Sequence, residues 1–238
     1  MLFPATHLSV LDRIRSGDEQ LRRHAFGDLA DGYWRPSYHY LRLHWRLPPE
    51  EAEDMVQAFF ATAFEKRYVD RYDPSKARFR TFLRTCLDRF VMNARKAEQA
   101  DKRGGTVTRL PLDFPGAERE LAAHATTPAA DADDLFQRET IRTLFARTVA
   151  DVAQQYREEG RELVFRVFER YDLAGDDALT YGDVARELGL PVTQVTNFLF
   201  HARRRFRERV LVHLRSLVGT DEEFRAEARD LFGFEVGE

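Results

Sequence analysis

Apolar residues recur at three- and four-residue spacing along most of the 238-residue chain, and runs of alternating apolar and polar residues are missing. The pattern predicts an all-α protein. In its first part the helices fall near Val10–Arg15, Glu19–Arg46, Pro49–Tyr68 and Ala77–Asp101. The stretch EEAEDMVQAFFATAFEK sets Ala52, Met55, Val56, Phe59, Phe60, Ala63 and Phe64 on one side. Glu50, Glu51, Glu53, Asp54, Gln57, Thr62 and Glu65 are left on the other. The next helix carries Phe79, Phe82, Leu83, Cys86, Leu87, Phe90 and Ala94 as its stripe, which makes Cys86 a small core residue.

Periodicity fades from Gly104 to about Asp134, where Gly104-Gly105, Pro111, Pro115 and Pro128 interrupt it. This segment reads as an extended linker with a short helix at Ala117–Ala123. Beyond it, Leu135 to Val152 and Leu163 to Tyr171 predict two further helices. Asp221–Phe232 predicts a short tail helix that docks on the second region or on a partner. The expected organisation is a helical domain at 1–103, a flexible acidic linker at 104–133, a second helical domain at 134–218 and an extension at 219–238.

The sharpest local signal is LTYGDVARELGLPVTQVTNFLFHARRRFRERV. Thr180 is placed to cap a short helix with Asp183 at the reciprocal position. Gly189 allows the left-handed residue that ends it, and Pro191 suits the start of the next helix. Helix, tight turn, longer helix is the order of the helix-turn-helix, whose second helix enters the major groove. The outward face of that second helix holds Thr193, Gln194, Thr196, Asn197, Phe200, His201 and Arg204. Amide side chains can pair with adenine, arginine with guanine, and an apolar ring with a thymine methyl. Arg203, Arg205, Arg207 and Arg209 are better placed for phosphates. Phe200 has a second reading, as a ring packed against the tail.

Charge changes the picture in two ways. The formal net charge is −3, which argues against a general polycation. The charges nevertheless come in blocks: Lys76, Arg78, Arg80, Arg84, Arg89, Arg95 and Lys96 are followed by Asp113, Glu118, Glu120, Asp131, Asp133, Asp134 and Glu139. The arginines of 203–209 then close the pattern. Two basic surfaces separated by an acidic segment fit two contacts with nucleic acid. One cysteine excludes an intrachain disulfide and a cysteine-based zinc site. No apolar run reaches the length of a signal-peptide core or a membrane span, so the expectation is a soluble cytoplasmic protein without membrane contact. No nucleophile–base set, phosphate cradle or metal spacing appears, so neither catalysis nor a cofactor is expected.

The runs YWRPSYHYLR (33–42), EEAEDMVQAFF (50–60) and DPSKARFRTFL (73–83) resemble region two of extracytoplasmic-function sigma factors, which direct bacterial RNA polymerase to promoters. LTYGDVARELGL and VTNFLFHARRRFRE resemble their region four, and the likeness covers nearly the whole chain in order. It is nearest to a subgroup with a KRGG-like junction (Lys102–Gly105) and a carboxy-terminal extension. The resemblance implies that the acidic helix docks on the clamp helices of the polymerase β′ subunit through Asp54 and Gln57, supported by Glu50, Glu51 and Glu53. It implies contact between region four and the β flap. It implies that the loop near Tyr68–Arg80 captures a flipped minus-ten base. Tyr72 is the candidate ring, and Arg78, Arg80, Arg84 and Arg89 hold the strand. Phe79 and Phe82 are read either as further rings or as core.

The second helix of the helix-turn-helix would read the minus-thirty-five element through Thr193, Gln194, Thr196, Asn197, Phe200, His201, Arg203 and Arg204. Thr196, Phe198, His201, Arg89 and Ala58 depart from the residues common at these positions in the family. Related subgroups are linked to anti-sigma factors or serine/threonine kinases, which makes Thr62 a candidate phosphosite on the polymerase-facing helix. The alternative is a stand-alone regulator that binds an operator without polymerase.

Overall fold

The computed structural model describes residues 10–98, 110–123, 131–176 and 178–233. Among the described residues all regular structure is helical. The helices are α1 (Val10–Ile14), α2 (Glu19–Leu43), α3 (Pro49–Glu65), α4 (Phe79–Glu98), α5 (Phe114–Ala123), α6 (Ala132–Glu158), α7 (Glu162–Phe168), α8 (Tyr181–Leu188), α9 (Val192–Arg215) and α10 (Asp221–Phe232). The chain divides into two units, Met1–Thr143 with Leu214–Glu238, and Leu144–His213. The first thus takes in the acidic segment, the start of α6 and the extension, beyond the 1–103 expected from the fading of periodicity.

In the first unit α2 is the central element. Asp18 caps it by accepting the N–H groups of Gln20 and Leu21 at 2.9 and 3.2 Å. Its buried residues Ala25, Leu29, Tyr33, Tyr38, Tyr40 and Leu41 leave little of it facing water. The helix stops at Leu43, three residues before Arg46, whose φ of 54° is left-handed and cannot continue an α-helix. Pro49 then opens α3, where a missing N–H costs nothing. Val56, Phe59, Phe60 and Ala63 of α3 are buried, as their spacing predicts. A second left-handed residue, Arg67 (φ 50°), turns the chain into a single 3-10 turn at Tyr68–Arg71. The Arg15 guanidinium ties that turn down by donating to the carbonyls of Val69 (3.2 Å) and Tyr72 (2.7 Å). The loop between α3 and α4 is therefore held in place by the segment after α1.

The acidic segment is part of this core. Phe114 opens α5 and meets Trp34 and Tyr38 at ring-centroid distances of 5.3 and 5.2 Å. Glu118 bonds Arg42 and Tyr38, while Glu120 and Asp113 both pair with Arg35. Phe136 of α6 stacks on Tyr33 (6.3 Å, 10°) and meets Tyr40 edge-on. Glu139, buried, bonds Nδ1 of His39 at 2.7 Å, and the other ring nitrogen faces the carbonyl of Ala117 at 3.1 Å. What composition marks as a flexible spacer is thus, over its described part, held to α2 by aromatic packing and three ion pairs. The junction at Lys102–Gly105 lies outside the described residues.

The second unit packs Val152 and Tyr156 of α6 and Val164, Val167 and Phe168 of α7 against Val184, Ala185, Val195, Leu199 and Ala202. Between α7 and α8 the chain makes one π-turn at Glu169–Leu173. The local signals around α8 are all realised. Thr180 and Asp183 form the reciprocal capping box. Gly189 adopts φ 66°, a conformation strained for any residue with a Cβ, and Leu190 N–H returns to the Ala185 carbonyl at 2.8 Å. The turn therefore reverses the chain at a fixed place and starts α9 just after Pro191.

Candidate protein and nucleic-acid interfaces

Three surfaces contain the residues singled out from the sequence. The first is the polar side of α3. Glu50, Glu51 and Asp54 are exposed, and Glu53 and Thr62 are half-buried. Gln57 differs from its expected outward position: it is 6% exposed. Its amide donates to the Leu110 carbonyl at 2.9 Å and accepts the Leu110 N–H at 2.7 Å. A side-chain amide offers the same donor–acceptor pair as a backbone peptide. Gln57 thus pairs with both backbone polar groups of a linker residue, whose carbonyl also accepts the Leu112 N–H at 2.9 Å. The remaining outward groups form a four-carboxylate face at the amino-terminal half of α3, where acids are stabilised by the helix dipole.

The second surface surrounds the start of α4. Tyr72, Arg78, Arg80, Arg84 and Arg89 were expected to face a nucleic-acid strand, and the structure gathers the first three around α10. Glu223 accepts from three donors: the Tyr72 hydroxyl (3.0 Å), the Gly219 N–H (2.9 Å) and the N–H of Phe79, first residue of α4. Glu227, 3% exposed, pairs with both Arg78 and Arg80, and Asp230 pairs with Arg78. Arg80 also donates to Gln137 at 2.9 Å. Arg84 pairs with Asp88 and, at 2.7 Å, with Asp133. Arg89 is exposed. Phe79 is fully buried and packs on Tyr72 at 5.1 Å and Tyr33 at 5.8 Å, so of its two readings it is core. Phe82 is half-buried, 5.3 Å from Tyr72.

Electrostatics follow from this packing. Burial, and then the Glu223 carboxylate, push the Tyr72 phenol well above its ordinary value, so it acts as a hydrogen-bond donor at any working pH. Burial alone would lower Arg78, but Asp230 and Glu227 outweigh it and raise it. Burial raises the Cys86 thiol against the opposing pull of Arg89 and Arg71, which favours its protonated form.

The sequence missed Glu223, Glu227 and Asp230. Their helix was legible from Phe224, Ala228, Leu231 and Phe232, but it docks within the first unit rather than on the second. Its acids at four- and three-residue spacing were the available signal, since they match the arginines at 78 and 80.

The third surface is the outward side of α9. Thr193, Thr196, Asn197, His201, Arg203 and Arg204 are exposed, and Gln194 is half-buried. Phe200 is 61% exposed, so it is not covered by the tail; its ring lies 5.5 Å from that of His201. Arg203 is held by Asp172 through two hydrogen bonds of 2.9 and 2.7 Å and lies over the Tyr171 ring. Arg204 meets Glu208 one turn on, and Arg205 is drawn against Tyr156 and Glu159.

The geometry thus puts an acidic helix face, an arginine-rich helix start and a polar outward face on α9 in one chain. Residues 33–100 match the Sigma-70 region 2 family model. Among curated proteins there is no match to the chain. The Sigma-70 region 2 match begins inside α2 at Tyr33, takes in all of α3 and the 3-10 turn, and ends just beyond α4. It includes the first two surfaces. It excludes α6 and α10, which supply the partners of Arg78, Arg80 and Arg84 beyond α4 itself. No described helix is long and apolar enough to cross a membrane.

Proposed function

We propose that this chain is a sigma factor: it binds core RNA polymerase and directs it to promoters. The observation that carries the reading is the Sigma-70 region 2 match, which falls on the helices bearing the acidic α3 face and the cationic start of α4. In this reading Glu50, Glu51, Glu53 and Asp54 meet the basic clamp helices of β′, and Gln57 positions the linker against α3. Complementary charge of this kind sets register and speeds docking. Tyr72, Arg78, Arg80, Arg84 and Arg89 hold the melted minus-ten strand. Extruding a base costs a few kcal/mol, which stacking and phosphate contacts offset. The α8–Gly189–α9 segment acts as the helix-turn-helix that reads the minus-thirty-five element, with Thr193, Gln194, Thr196, Asn197, Phe200, His201 and Arg204 toward the bases. Arg203, already fixed by Asp172, positions the helix or meets phosphate.

Neither domain needs high affinity alone, because joining both to one polymerase multiplies their contacts through effective concentration. The protein belongs in this reading to the extracytoplasmic-function group, works in the cytoplasm, carries out no catalysis of its own, and is controlled by an anti-sigma factor or by a kinase acting at Thr62. Transcription in vitro with purified core polymerase and a genomic DNA library tests the assignment. Defined transcripts that require the chain are expected. Operator binding without polymerase, and no polymerase-dependent transcripts, would instead establish a stand-alone regulator.

A further inference from the structure

We propose that α10 is a built-in competitor for the nucleic-acid strand, so that tail and strand occupy the start of α4 in turn. This rests on the assignment of that face to strand binding. Four of the groups that would grip the strand at the start of α4 already grip carboxylates of α10: Phe79 N–H and the Tyr72 hydroxyl hold Glu223, and Arg78 and Arg80 hold Glu227, with Asp230 also on Arg78. A carboxylate and a phosphate oxygen ask for the same donors, arginine forks and helix-start amides. The face that could take the strand is therefore filled by a chemical mimic of it.

The attachment is suited to displacement. Its apolar part within α10 is small, with Phe224 and Ala228 the buried members, and the rest is charge pairing whose donors a polyanion can take over by offering the same kind of acceptor. The anchor is the segment before it, where Leu217 and Val218 are buried and the Leu217 carbonyl accepts from Tyr33 at 3.0 Å. Gly219 sits where no side chain fits: a Cβ there would lie 2.5 Å from Leu11 Cδ1 and 2.8 Å from Tyr72 Cε1. Release of α10 can thus occur beyond Gly219 and leave the anchor seated. Because the competitor is tethered, it acts at high effective concentration, and the strand's apparent affinity falls by the fraction of molecules whose face is open.

The test compares the wild-type chain with a Glu223→Gln, Glu227→Gln, Asp230→Asn variant. The isosteric amides keep one acceptor oxygen each, replace the other with an NH2 that cannot accept, and remove the charge. The probe is a fluorescein-labelled single-stranded oligonucleotide of mixed sequence, read by anisotropy. The variant should bind about tenfold more tightly, as expected for a face open in roughly a tenth of wild-type molecules. The gain should vanish when Arg78→Ala and Arg80→Ala are added to the variant. In the wild-type chain, saturating oligonucleotide should strip hydrogen-exchange protection from 221–232. Equal binding by wild type and variant, a gain that survives loss of both arginines, or unchanged tail protection would each overturn the proposal. Failure of either chain to bind the strand would overturn both it and the strand-binding assignment of α4. Wild-type transcription with core polymerase reports separately on the sigma reading.

Discussion

At the start of α4 the guanidiniums of Arg78, Arg80 and Arg84 all meet carboxylates of the same chain, whereas along α9 Thr193, Thr196, Asn197, Phe200 and His201 face solvent. Both regions read as cationic and DNA-facing in the sequence. The difference is that Arg78 and Arg80 have acidic partners brought from more than a hundred residues away, while the partners of the α9 arginines flank the outward residues and leave them displayed. Arginine content alone does not reveal whether a basic surface is offered or occupied. That is decided by which acids the fold brings near.

The comparison can be broken most forcefully with two phenylalanines. Phe79→Ala removes a fully buried ring beside Tyr72 and Tyr33. It should cost about 3–5 kcal/mol of stability in denaturant unfolding. Phe200→Ala, at an exposed ring, should stay within about 0.5 kcal/mol of wild type. Next in size is Arg80→Ala, which leaves the Glu227 carboxylate buried with one cation fewer. About 3 kcal/mol should be lost in the same measurement. Arg204→Ala sharpens the contrast from the other side. Its stability should be unchanged, and promoter binding in a footprinting titration should weaken by about 1–3 kcal/mol if it reads a base.

Thr180→Ala removes half of a capping box and should lower the melting stability of the second unit by about 1 kcal/mol. The smallest effect is that of acid on the α6 attachment to α2. Burial pushes the Glu139 carboxyl up, but the bond to His39 and the charges of His39 and Arg142 outweigh it and hold the group below its ordinary 4.5. A depressed folded value means that the unfolded chain takes up the proton first. The contribution is therefore complete above about pH 4.5 and is lost as pH falls from there through the folded value. Glu139→Gln should flatten that limb of the pH–stability curve, measured by urea unfolding.

Much of the fold was legible because its determinants are local. The α8 cap and the Gly189 turn are set by residues within a few positions of one another, and α10 has the bounds its apolar spacing predicts. The acidic segment was misread because its order comes from partners far away. Asp113, Glu118 and Glu120 look like a solvated run until Arg35 and Arg42 are placed opposite them. Gln57 shows the same limit at the scale of one side chain. A helical wheel puts it at the edge of the apolar face, and only the arrival of Leu110 makes that edge an interior. The target of α10 was hidden for this reason too, since period reports a helix's buried side and not what buries it.

The tight seat of Gly219 carries a genetic consequence. Any replacement there must push against Leu11 and Tyr72 and crowd the Glu223 carboxylate, so it should loosen the tail without altering a single charged side chain. A selection for alleles that fire without their normal signal would then recover lesions at this position, which itself carries no side chain to read a base or dock an enzyme.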